Sequence, residues 1–204
     1  MGLMDLLKWQ LSDGVVNGLD QQLNIGDTKK TNAASEAALS ILMSALAKNS
    51  ASSESAMSGL AGALDRDHDG SILDDVVGLV SGRSAVTNPK TTDGTGILNH
   101  LLGGSQNNAI SMLSKMTGLE QSQSMDMLVK LAPMVLGVLE RYKRQNQMDQ
   151  NQLSSFLKSS QQKFVEQDRQ RSVFEKILDQ DGDGSVMDEA ASSGMKMLGN
   201  FLKR

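Results

Sequence analysis

The residues able to do chemistry in this chain are acids, and they are regularly spaced. Asp65, Asp67 and Asp69 alternate with Arg66 and His68, and are followed by Gly70, Ser71, Ile72, Leu73, Asp74 and Asp75. Near the other end, Asp179, Asp181 and Asp183 alternate with Gln180 and Gly182 and lead to Gly184, Ser185, Val186, Met187, Asp188 and Glu189. Alternate carboxylates on a curling loop converge on one point, which suits a hard divalent cation seeking about six to eight oxygens. Glycine in sixth place permits the sharp turn, the seventh residue offers its carbonyl, and a later acid closes the shell. The spacing therefore predicts two calcium sites. Their ligands are Asp65, Asp67, Asp69, the Ser71 carbonyl and Asp75, then Asp179, Asp181, Asp183, the Ser185 carbonyl and Glu189. Twelfth place, where a bidentate glutamate is expected, holds Val76 and Ala190, so closure falls one residue early, on Asp75 and Glu189. Calcium tolerates such irregular geometry better than magnesium, which demands a strict octahedron. The competing reading is a solvated, metal-free connection between helices.

The elements that must hold these loops read as helices. Between Leu3 and Ile25, Leu7, Leu11, Val15, Leu19 and Leu23 recur every fourth residue, one helical face loosened near Gly14 and Gly18. Asn24 to Asp27 reads as a stop, with Asp27 or Thr28 capping a helix that runs to about Lys48 and buries Ala38, Leu39, Leu42, Ala45 and Leu46. After a polar break at 49–53, a helix over Glu54–Leu64 turns Met57, Leu60 and Leu64 inward and enters the first Asp loop. Asp74 then starts a brief exit helix carrying Val76, Val77, Leu79 and Val80. No segment of strand period stands out.

The stretch 81–96 is rich in Gly, Ser, Thr and Asn and contains Pro89, as a linker would be. Beyond it the pattern returns. Residues 97–102 resemble 6–11, 113–119 lie over 19–25, and 134–139 lie over 41–46, the last at an offset of 93 that also pairs Leu153 and Leu157 with Leu60 and Leu64. The second Asp loop follows the first by 114 residues, so the later copy has gained 21, placed at 158–178 and helical in character. The expected architecture is all-α. Residues 1–80 form a first helical repeat with its loop at 65–75, 81–96 a linker, and 97–204 a second repeat with an inserted helix and a loop at 179–189.

Three runs carry a family resemblance: Gly96-Ile97-Leu98-Asn99-His100-Leu101-Leu102-Gly103-Gly104, Leu131-Ala132-Pro133-Met134-Val135-Leu136-Gly137, and Leu64 through Asp75. They resemble the bacterial YidB-like family, a domain of unknown function with a small, all-helical, homeodomain-like fold. The Asp runs are similar to EF-hand and dockerin calcium loops. The resemblance implies two homeodomain-like repeats in a bacterial cytoplasmic protein. It implies no catalytic residues, and the segment 158–178 has no counterpart in it.

Composition narrows the function further. With no cysteine, disulfides, thiolate metal sites and cysteine nucleophiles are excluded. Aromatic residues make up only 3% of 204, so Leu, Ala, Val, Ile and Met must fill the core. A net charge of −4 opposes broad nucleic-acid affinity. The basic run Arg141-Tyr142-Lys143-Arg144 is what a helix C-terminus attracts in any case, so homeodomain-like DNA binding ranks below the calcium and scaffold readings. The two histidines, His68 in the loop and His100 in a helix (a packing or capping residue), make no base–nucleophile pair, and an enzyme is not expected. Met1 to Asp13 has Asp5, Lys8 and Gln10 where a signal peptide needs a basic start and an apolar run. No stretch nears the ~20 apolar residues of a membrane span. Thirteen methionines and the stripe Met195, Leu198, Phe201, Leu202 suit a core, or a protein-interaction surface governed by the ion. The partner, the biological role and the oligomeric state are not written in the sequence.

Overall fold

Asp27 fixes the start of the longest element. Its carboxylate accepts the backbone N–H groups of Lys29 and Lys30 at 3.0 and 3.1 Å, the N-cap the sequence suggests. In the computed structural model, which describes residues 2–66, 78 and 93–167, this helix belongs to a predominantly helical fold with no strand among the described residues. In chain order the helices are α1 (Leu3–Gln10), α2 (Asp13–Leu23), α3 (Thr28–Ser52) and α4 (Glu54–Arg66). They are followed by α5 (Gly94–Leu102), a 3-10 turn (Gly103–Ser105), α6 (Gln106–Thr117), α7 (Gln121–Gln145) and α8 (Gln150–Gln167). The chain divides into two compact units, Met1–Gln162 and Lys163–Arg204. Among the described residues the second unit contributes only 163–167, the end of α8.

Helices α3 and α7, each 25 residues long, are the centre of the first unit and pack on each other more extensively than any other pair. Around α3, Ala34, Ala38, Leu39, Leu42 and Leu46 are buried, and so are Thr31, Ser35 and Ser50. A helix covered on so many sides is internal and needs no sharp division into polar and apolar faces. Thr31 stays satisfied by donating to Asp20 Oδ1 at 2.6 Å, and Ser35 donates to the Thr31 carbonyl at 2.7 Å. Helix α7 contributes Met127, Leu128, Leu131, Met134, Val135 and Leu139 to the same core.

The first expected helix is two. The chain breaks at Leu11 and Ser12, while Gly14 and Gly18 lie inside α2. Ser12 in extended conformation accepts the N–H groups of Val15 and Val16, which starts a new helix there. The four-residue spacing survives the break because Leu7, Val15, Leu19 and Leu23 are still all buried. Helix α3 runs on through the expected polar break as far as Ser52, with Ser50 and Ser52 donating back to the carbonyls of Ala47 and Asn49. Ala45 is only half-buried.

Gly94, Thr95 and Gly96, read as linker, are the first turn of α5, capped by Asp93, which accepts the Gly96 N–H at 3.0 Å. Gly94 is there because of α7. Pro133 sits inside α7 and has no N–H to give the carbonyl of Val129. Gly94 packs on that carbonyl so tightly that a Cβ at Gly94 would lie 1.9 Å from the oxygen. The carbonyl that Pro133 deprives of its helical N–H is therefore covered by the backbone of α5. Residues 158–167, the start of the expected inserted helix, continue α8 without a break. Trp9, the chain's one tryptophan, is 83% exposed on α1.

Candidate ion-binding site

Helix α4 delivers the first of the expected calcium ligands. Ser53 Oγ accepts the Ala56 N–H at 3.0 Å and opens the helix, and Met57, Leu60, Ala61 and Leu64 face the core. One residue further, the helical rotation carries Asp65 outward, and its side chain is 56% exposed. The acid therefore stands on the last turn of an entering helix, where first place in a calcium loop belongs. Asp67, Asp69, Ser71 and Asp75 lie outside the described residues, as do Asp179, Asp181, Asp183, Ser185 and Glu189. Also outside them are His68 and the expected exit helix, apart from Gly78. Among the described residues no group of three or more His, Cys, Asp or Glu side chains is placed to hold a metal.

Asp65 already has a cation. Lys143, from the last turn of α7, donates its ammonium to Asp65 Oδ1. The Lys143 side chain is only 12% exposed, so its carbon stem is packed away and its head emerges at the carboxylate. The sequence reading gave Lys143 no role beyond the helix dipole. The structure gives it a partner 78 residues away in the chain. Beside it, Tyr142 stacks on Phe156 of α8 with ring centroids 4.4 Å apart and planes 21° from parallel. Two members of the basic run are thus engaged within the unit, which weakens the run as a phosphate-facing surface. No sequence signal pointed to Lys143, because the contact joins distant ends of two helices.

His100 is exposed, so packing is not its role. It lies in the last turn of α5, and its backbone carbonyl accepts Asn49 Nδ2 at 2.8 Å. Nothing in the sequence singles out the buried polar side chains, among them Glu140 on α7 and Ser124 near its start. Ser124 Oγ has no hydrogen-bond partner among the described residues. No helix among the described residues is long and apolar enough to cross a membrane.

Residues 5–142 match the model of a family described as bacterial protein of unknown function (DUF937). No curated protein and no solved structure matches the chain.

Proposed function

We propose, for a chain that belongs to the bacterial DUF937 family of unknown function, a non-enzymatic cytoplasmic role built on calcium. Two ions would be held at 65–75 and 179–189, clamping helix junctions and governing a surface for a protein partner. The observation that carries this reading is Asp65, exposed on the final turn of α4 with a cation already drawn to it, at the head of the Asp67, Asp69, Gly70 spacing. Oxygen donors in that order suit calcium, and the chain has no cysteine to favour a softer metal. The narrower YidB-like kinship, with two homeodomain-like repeats, belongs to the same reading. It draws support from α3 and α7, whose bounds differ by 93 residues at both ends.

The metal-free scaffold draws on the same contact, since Lys143 already gives Asp65 a positive charge. Calorimetric titration of the chelator-stripped chain with calcium, with magnesium as control, separates the two. Heat from two calcium-preferring sites is expected. No heat up to about 1 mM calcium, the weak end of the range for such loops, sinks the calcium reading in favour of the scaffold.

A further inference from the structure

Among the hydrogen bonds that join the two halves of the first unit, one pair is reciprocal. Helices α2 and α6 both end in a left-handed residue, Asn24 with φ 50° and Gly118 with φ 67°. Lys30, third residue of α3, donates Nζ to the Gly118 carbonyl at 2.8 Å. Gln123, third residue of α7, donates Nε2 to the carbonyls of Leu23 and Asn24 at 3.0 and 3.4 Å. Each long helix therefore closes the end of the short helix in the opposite half. Such exchange, in which one position contacts a second and their equivalents contact in return, is the signature of an isologous interface.

Burial follows the same correspondence. Leu19 and Leu113, Leu42 and Val135, Leu46 and Leu139, Leu60 and Leu153, Leu64 and Leu157 are all buried pairwise. Ser35 Oγ lies 3.5 Å from Met127 Sδ. At the offset of 93 the equivalent of Ser35 is Leu128, the neighbour of Met127, so this contact marks where a two-fold axis passes between α3 and α7.

We infer that the first unit is a fused pseudo-dimer, and that the surface joining its halves can accept the matching half of a second copy of this chain. The occupant is the opposite half, not the same one. Lys130 donates to Gln22 Oε1 at 2.8 Å, and its counterpart on α3, Ala37, has no group to return that contact. The first half thus prefers the second half, whether from its own chain or from another. Exchange of equivalent elements between copies makes a dimer without any new surface. The inference stands apart from the Asp loops and from any ion.

Joining Arg66 directly to Asp93, with 67–92 deleted, tests it. The deletion removes up to about 94 Å of reach and leaves no tether between the halves. Light scattering should then report twice the mass of one chain with helical circular dichroism retained. A folded monomer, or a chain that no longer folds, overturns the exchange. The equivalence itself is read from a second variant, the double exchange K30Q/Q123K. Its melting temperature should stay within about 2 °C of the parent, because each longer or shorter donor meets an equivalent carbonyl. A larger loss for the double exchange than for both single alanine variants together overturns the pseudo-symmetry.

Discussion

Replacing Gly94 by alanine tests the close approach of α5 to α7. The new methyl would sit 1.9 Å from the Val129 oxygen and 2.8 Å from its carbonyl carbon. A carbon–oxygen contact is comfortable at about 3.3 Å, so α5 must withdraw by roughly 1.4 Å. The obstacle is backbone, which cannot swing aside, and α5 carries the buried Leu98 and Leu101 with it. Overpacking costs about 1–3 kcal/mol, and a backbone obstacle puts this site at the upper end. For a chain of this size that lowers the melting temperature by about 6–12 °C. Thermal unfolding followed by circular dichroism is the assay. The matched control is Gly59→Ala in α4, where a Cβ meets nothing within 4 Å and better helix propensity should raise the midpoint by about 1–4 °C. If Gly94→Ala melts within 1 °C of the parent, the account of Gly94 and Pro133 is wrong.

Three further substitutions follow. Thr31 and Ser124 stand at equivalent places, yet among the described residues only Thr31 has its hydroxyl engaged. Ser124→Ala should be neutral or stabilising by up to about 1 kcal/mol and Thr31→Val destabilising by about 1–2 kcal/mol. Equal losses in denaturant titrations would contradict the assignment. Lys143→Met removes the cation that competes for Asp65. A partly exposed pair is worth about 0–1 kcal/mol, so calcium affinity at the first loop should rise up to about fivefold by calorimetry. Weaker binding would mean that Lys143 supports the loop instead of opposing it.

Local features were the legible ones. Asp27 was readable as a cap because its side chain reaches only its own helix. Leu7, Val15 and Leu19 were readable because helical spacing makes a face. The break at Leu11 and Ser12 was hidden, since the leucine spacing continues through it in phase. Gly94 read as linker for want of any local sign that a carbonyl freed by Pro133, in another helix, required a residue without a side chain. Lys143 has the same character. Its role depends on where α4 ends relative to α7, and charge on a helix end says nothing of that. The ion site was read from spacing alone, and of its ligands only Asp65 falls among the described residues.

Trp9 has an optical consequence. With its indole already in water in the folded chain, intrinsic fluorescence should change little as the protein unfolds, and the core would melt almost unseen by that signal. The same placement makes the residue a clean reporter of encounters. Any molecule that settles on α1 will shift or quench the emission against a quiet background, with no label attached and no core probe to confuse it.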